Sequence, residues 1–249
     1  MEYGLEAINN ANVVTVSNNF RIQVFHERGQ FTATSANSNT PGYATVYFAR
    51  PVRTPPAPEL YLRLASANRP NVSLYIVMLG APGNWTGFSV VIAAAGVNNL
   101  ISHVFEYVIG KFSNEPGPDN YGMELYAADG SGQVIYTSYD KPVIFDRFTK
   151  RWRYVTQSGA GIVVWTYTSD MAIASGDFIG VSRFNRGVVH YGGASYAGLT
   201  LMAGGALTLG MTINVNAAIY SRFTDPRLGA AFNFCLPICK FPQSVYFNS

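Results

Sequence analysis

Apolar and polar residues alternate along much of this chain in short runs, which are separated by turns rich in Gly, Pro, Asn and Ser. Residues 20–25 and 212–220 alternate in this way, with a period of two that is typical of strands with one buried face. Residues 88–95 are instead apolar apart from Ser89 and lie between two glycines, which indicates a strand buried on both faces. Many short strands with regular turns predict an all-β fold of the sandwich type.

One short pattern occurs twice. Tyr-Gly-Leu-Glu-Ala at positions 3–7 returns as Tyr-Gly-Met-Glu-Leu at 121–125, and each copy is followed by a polar turn and an apolar run. Each copy therefore predicts a β-hairpin. Residues 114–119 combine two prolines, a glycine and polar side chains, which is typical of a linker. We predict two β-sandwich-like modules, 1–113 and 120–249, each opened by the hairpin. The alternative is that the two copies contribute equivalent strands to one fold.

A long stretch without charge raises the question of a membrane span. Residues 187–220 contain no formally charged side chain, and within them residues 196–213 are nearly all apolar, Gly or Thr. The length of this inner run would suit a transmembrane helix of ~20 residues. However, Leu-Thr-Leu occurs at both 199–201 and 207–209, on either side of a Gly-Gly pair. Two alternating runs around such a turn predict a buried hairpin and no membrane span.

The composition favours a subunit of an assembly. Among 249 residues, 48% are hydrophobic and 14% aromatic, but only 12% are charged, about half the usual ~25%. Interface cores are poor in charge and rich in aromatic residues. The alternative is a well-packed monomer with a Ser, Thr and Asn surface. The net charge of +3 is too small to indicate a nucleic-acid partner. No signal-peptide pattern opens the chain, which favours synthesis in a cytoplasm.

Histidines and cysteines are few. His26, His103 and His190 lie outside metal-ligand spacing of one another, so each is expected to be structural or on the surface. Cys235 and Cys239 are separated by three residues, with no second pair to complete a four-ligand site. Buried thiols are the expected state. A local disulfide and a metal site between subunits are the alternatives.

The usual signs of an enzyme are missing from the sequence. Gly-Ala-Ser-Tyr-Ala at 193–197 lacks the second glycine of a nucleophile elbow, and no histidine follows it. The glycine-rich segments lack the lysine of a phosphate-binding loop. We therefore expect no catalytic residues, no cofactor and no metal. A polysaccharide-degrading enzyme is a weaker hypothesis, because no sequence spacing identifies a pair of catalytic carboxylates.

Two groups of residues are candidates for an interface or a surface-binding site. Arg147, Arg151 and Arg153 are interleaved with aromatic residues that include Trp152, and such a patch could contact a phosphorylated polysaccharide or nucleic acid. The simpler interpretation is a half-buried strand with arginines on one face. Trp85 lies between two glycines in a predicted loop and could stack on a glycan. The alternative is that Trp85 closes one end of the sandwich.

The repeated pattern also carries a resemblance. The opening Tyr-Gly-Leu-Glu, its Val-rich strand and the strand with Arg21, together with the later Tyr-Gly-Met-Glu-Leu-Tyr and its Asp-Gly turn, resemble small structural tail proteins of tailed bacteriophages of Gram-negative hosts. The resemblance covers two segments of the chain. It implies a component of the tail tip, baseplate or fibre, and it carries no catalytic residue with it.

The expected function follows from the resemblance and the composition together. We expect a non-enzymatic virion protein that is assembled in the host cytoplasm and packs with copies of itself, as a ring or trimer, and with other tail proteins. The alternative is a receptor- or glycan-binding module at the fibre end that contacts the host surface.

Overall fold

The computed structural model describes most of the chain. The described residues are 6–8, 14–17, 21–35, 42–65, 72–94, 101–118, 121–149, 152–158, 164–181, 188–189, 195–196, 198–202, 207–214 and 236–248. Within these ranges the chain forms nineteen strands and no helix, so the all-β prediction is confirmed. None of these residues belongs to a helix that could cross a membrane.

The first of two large sheets has six strands, and all neighbouring pairs are antiparallel. Across the sheet the order is β11 (Phe145–Phe148), β19 (Pro237–Lys240), β14 (Asp177–Gly180), β5 (Glu59–Leu64), β8 (Ile101–Phe112) and β3 (Gln23–Ser35).

The second large sheet has seven strands, again antiparallel where they pair. The order is β12 (Trp152–Ser158), β13 (Val164–Ile173), β18 (Leu207–Asn214), β17 (Gly198–Met202), β6 (Val72–Ala81), β7 (Asn84–Ala94) and β4 (Gly42–Val52). Strands β17 and β18 pair with Leu201 opposite Leu209, which confirms the hairpin predicted in the uncharged stretch.

The remaining strands form three two-stranded sheets: β1 (Glu6–Ile8) with β2 (Val14–Ser17), β9 (Glu124–Tyr126) with β10 (Val134–Thr137), and β15 (Val188–Val189) with β16 (Ser195–Tyr196). The first two are the repeated hairpins, and both are confirmed as antiparallel pairs. In the second hairpin, Gly130 and Gly132 have positive φ angles of 73° and 68°. Glycine adopts this region without steric cost, and the Asp129 side chain accepts a hydrogen bond from the Ser131 N–H.

Strand pairing crosses the predicted linker. Strand β14 pairs with β5 in the first sheet, and β17 pairs with β6 in the second. Both large sheets therefore contain strands from before and after residues 114–119, and among the described strands neither half of the chain has a large sheet of its own. The two repeated hairpins, in contrast, form separate two-stranded sheets and contribute no strand to either large sheet.

The main core lies between the two large sheets, and a second core covers the outer face of the six-stranded sheet. Strand β5 shows both, because Leu60 and Leu62 belong to the main core while Tyr61 belongs to the second. The chain end at residues 241–248, here called the C-terminal strap, contributes Phe241 and Tyr246 to the second core. Buried members of the main core come from both sheets and include Phe31, Phe48, Phe88, Phe105, Ile109, Ile173, Ile179 and Ile238.

The cysteine prediction is confirmed for the one cysteine that can be described. Cys239 is a free thiol on β19 and lies fully buried in the second core. Burial raises its pKa to about 12. Cys235 and His190 lie outside the described residues.

Candidate functional site

The candidate site is built around a β-bulge in β3. Phe25 lies opposite Gly110 of β8, and Glu27 lies opposite the next residue, Ile109, so His26 is an extra residue in β3. An extra residue reverses the alternation of faces at that point. Phe25 consequently packs against the second core, whereas Glu27 lies buried on the side of the seven-stranded sheet.

The bulge lets two consecutive side chains reach the opposite sheet. Glu27 accepts a hydrogen bond from the Ala49 N–H of β4 at 2.9 Å. His26 Nε2 lies 2.8 Å from the Arg50 carbonyl oxygen of the same strand. A carbonyl oxygen can only accept, so Nε2 carries the proton and Nδ1 is a hydrogen-bond acceptor. Burial lowers the pKa of His26, and the ring is neutral at pH 7.

Glu27 is also bonded within its own sheet. The Tyr107 hydroxyl donates to it at 3.0 Å. Tyr107 lies directly opposite Gly29, and a Cβ atom at Gly29 would come within 2.7 Å of the Tyr107 ring. The missing side chain therefore makes room for the tyrosine. Burial raises the pKa of Glu27 despite these two donors.

The opposite wall is supplied by the segment that leaves the second hairpin. Asp140 accepts hydrogen bonds from the Ser113 hydroxyl at 2.5 Å and from the Thr137 N–H at 2.7 Å. The Phe25 N–H donates to the Lys141 carbonyl oxygen at 2.8 Å. These contacts fix residues 139–141 beside the bulge of β3 and the end of β8.

Between these walls lies a pocket of about 420 Å³, within the usual range of ~300–1,000 Å³ for ligand sites. Four of its lining side chains are cationic and two are carboxylates, which leaves two positive charges in excess when His26 is neutral. The lining residues are Phe25, His26, Arg50, Pro51, Arg53, Lys111, Glu115, Tyr139, Asp140 and Lys141.

Several of these charges already have partners inside the protein. Lys111 forms an ion pair with Glu115 at 2.8 Å. Burial pushes the pKa of Glu115 upward, but the hydrogen bond and charge of Lys111 outweigh this and lower it. The Lys141 ammonium donates to the Phe247 carbonyl oxygen at 3.1 Å. Arg53 donates to the Asn84 side chain at 2.8 Å.

Arg50 differs from the other pocket cations. Its side chain is exposed, and its guanidinium makes no hydrogen bond or ion pair within the described part of the chain. Its N–H donors are therefore open to a ligand.

Trp85 does not line this pocket. It lies on β7, half-buried against the main core, and its indole N–H donates to the Thr54 carbonyl oxygen at 3.0 Å. The Gly83 N–H donates to the same oxygen. The loop predicted at Trp85 is therefore wrong, because Trp85 lies in a strand that pairs with Gly80 of β6 and Val52 of β4. Its part in ligand binding stays a prediction.

The predicted arginine cluster is divided between the two sheets. Arg147 lies on β11 and donates hydrogen bonds to Asp146, at 3.0 Å, and to the buried Asp177. Trp152 and Arg153 begin β12 at the edge of the other sheet. Arg151 lies outside the described residues. Arg147 is thus paired with acidic side chains of its own sheet and lies on a different sheet from Trp152 and Arg153.

The pocket was not predicted, because its residues come from distant parts of the chain. One local signal existed: the alternation that begins at Phe20 ends at Val24, because Phe25 is a second consecutive apolar residue just before the bulge. No pattern links this break to Arg50 or to residues 139–141.

Aromatic side chains are exposed on the edge strands of both large sheets. Tyr43 and Tyr47 on β4 are 70% and 73% exposed, and Thr45 between them is also exposed. Phe145 and Phe148 on β11 are exposed as well, with ring centroids 5.4 Å apart. Strands β4 and β11 each stand at the end of their sheet. We call these four residues the edge aromatics.

Metal binding and similarity to known proteins give no further indication of what the site does. Within the described ranges, no group of three or more His, Cys, Asp or Glu side chains could hold a metal ion. Comparison with protein-family models, curated proteins and solved structures finds no match to this chain.

Proposed function

We propose that this protein is a non-enzymatic structural subunit of a bacteriophage tail, in the tip, baseplate or fibre. The observation that carries the proposal is the placement of the edge aromatics on the outermost strands of both sheets. The resemblance of the repeated hairpins to tail proteins suggests the particle. The chain would be made in the host cytoplasm and end in the virion.

The edge aromatics suit assembly for two physical reasons. An edge strand presents unpaired backbone N–H and carbonyl groups, which another chain can pair with. Exposed Tyr and Phe side chains each bury ~150–250 Å² when they are covered. Tyr43 and Tyr47 leave most of this area in contact with water in the isolated chain. Contacts among identical copies would close into a ring or trimer, and neighbouring tail proteins would cover the remaining surface.

Light scattering on the purified protein tests self-association. We expect a mass that is a multiple of the monomer's, and we expect Tyr43→Thr combined with Tyr47→Thr to reduce it. Phe145→Ser combined with Phe148→Ser tests the other edge. Thr45→Ser changes a polar residue on the same face of β4 and serves as the control. A monomer at high concentration that also fails to bind tail proteins would contradict the assembly role.

Mass spectrometry of purified phage particles tests the location. We expect the protein in the particles, in a copy number that is a small multiple of the tail symmetry. Its absence from particles, combined with abundance in the infected cell, would contradict a virion role while leaving self-association intact.

A second candidate function is attachment to the host surface. The pocket between β3, β4 and residues 139–141 favours it, because a polar cavity with excess positive charge suits an anionic surface ligand. We expect the purified protein to bind host cells. Host cells that bind no protein would contradict this role.

A further inference from the structure

We propose that the pocket binds a single anionic sugar unit, one that carries a carboxylate or a phosphate. The inference rests on the second proposed function only for the source of the sugar. The chemistry of the pocket stands apart from that source, so free sugars test the inference and host cells test the function.

The excess positive charge of the pocket favours an anionic ligand. Both lining carboxylates are held by groups of the protein, Glu115 by Lys111 and Asp140 by Ser113 and Thr137. Arg50 has its planar set of N–H donors open, and such a fork binds a carboxylate or phosphate with two parallel hydrogen bonds. A carboxylate on the ligand would balance one of the two excess positive charges, and a phosphate monoester would balance up to two.

The size of the pocket argues against a simple inorganic ion as the full occupant. A water molecule takes up ~30 Å³ of liquid, and a pocket of about 420 Å³ is many times larger. A phosphate or acetate ion would fill a small part of it. A sugar ring adds the volume that a simple anion lacks.

The other lining groups suit the rest of a sugar ring. Nδ1 of neutral His26 is an acceptor for a ligand hydroxyl. Phe25 and Pro51 supply apolar surface for the C–H face of the ring. The β-bulge is what places a histidine and an aromatic residue side by side at this position. The pocket thus suits a ligand that has an anionic group, a hydroxyl that donates a hydrogen bond and an apolar ring face. An acidic saccharide has all three.

Isothermal titration of the full-length protein tests the inference. The probes are glucuronic acid, glucose 6-phosphate, glucose and inorganic phosphate. We expect at least one anionic sugar to bind, with glucose at least 10-fold weaker, and added salt to weaken the binding. Arg50→Ala is expected to lower the affinity for that sugar 10-fold or more, and Arg53→Ala provides a second exposed pocket variant. Lys240→Ala removes one exposed positive charge outside the pocket and should change nothing.

The results separate the alternatives. No binding of either anionic sugar at millimolar concentration overturns the proposal. Equal affinity for glucose overturns the anionic requirement, and equal affinity for inorganic phosphate overturns the saccharide. Unchanged affinity in both Arg50→Ala and Arg53→Ala, with unfolding transitions like the parent's, places the site elsewhere and also overturns it. Sugar binding without binding to host cells would support this inference and contradict the attachment function alone.

Discussion

Glu27 shows how one residue can couple the two sheets. Its carboxylate is buried, yet it accepts hydrogen bonds from β4 in one sheet and from Tyr107 in the other. Burial raises its pKa above the ordinary value of 4.5. A raised carboxyl pKa means that the folded state favours the protonated form. Its contribution to stability is therefore full below the unfolded pKa and is lost as the pH rises through the folded pKa.

Two substitutions at Glu27 separate charge from hydrogen bonding. We expect Glu27→Gln to be at least as stable as the parent at pH 7, because the amide keeps an acceptor for Ala49 and can donate to Tyr107. We expect Glu27→Ala to be less stable by ~1–3 kcal/mol, because two buried donors lose their acceptor. Urea unfolding at pH 5 and pH 7 measures both.

The pH dependence provides the control for this prediction. The advantage of Glu27→Gln over the parent should grow from pH 5 to pH 7, since only the parent carries the penalty of a buried charge. If Glu27→Gln were as damaging as Glu27→Ala, the charge itself would be required and the argument from burial would be wrong.

At the scale of elements, local patterns predicted local structures. The second hairpin forms because Asp129, Gly130 and Gly132 supply a side-chain acceptor and two positive φ angles within a few residues. For the β17–β18 pair, the sequence signal was a Gly-Gly pair between two alternating runs, and the two strands pair as predicted. The bulge at His26 escaped prediction because it is defined by the register with β8, a strand far away in sequence. Register of that kind depends on tertiary packing.

The C-terminal strap illustrates an element that sequence patterns do not identify. Its stability comes from contacts with distant residues: Arg28 donates to the carbonyl oxygens of Phe241 and Tyr246, each at 3.1 Å. The Tyr246 hydroxyl donates to the Pro142 carbonyl oxygen at 2.7 Å, and its ring packs on Phe241 with centroids 5.0 Å apart. The strap thereby covers Cys239.

Reactivity of Cys239 reports whether the strap is closed. In a Cys235→Ser background, which leaves a single thiol, we expect slow labelling by a disulfide reagent, because burial suppresses the thiolate. We expect Tyr246→Ala to speed labelling at least 10-fold, which corresponds to ~1.4 kcal/mol less cost of opening. Gln243→Ala, exposed on the same strap, should leave the rate unchanged. An unchanged rate in Tyr246→Ala would mean that the strap does not protect the thiol.

At the scale of the whole molecule, composition and alternation predicted the all-β class, but the linker signal did not predict how the strands are shared. The Pro-Gly-Pro segment does separate two hairpins with similar sequences. Pairing between β5 and β14 and between β6 and β17 nevertheless joins the halves. Turn residues determine where a strand ends, whereas the choice of partner strand depends on burial across the whole core. Ile173, Ile179 and Ile238 from the second half lie in the same core as Phe88 and Phe105 from the first.

A cut between the halves tests this arrangement in the complete chain. We insert a protease site after Gly130, in the turn of the second hairpin, where no atom lies within 4 Å of the position of a glycine Cβ. The cut leaves all pairs of the two large sheets intact. The two fragments share hydrogen-bonded strands and a common core, so we expect them to remain together in size-exclusion chromatography and to unfold in one cooperative transition. They should separate only when denaturant unfolds both. Two fragments that separate without denaturant, each with its own sharp unfolding transition, would instead show two independent modules. Uncut protein with the same insertion controls for the inserted residues, because its elution and transition should match the parent's.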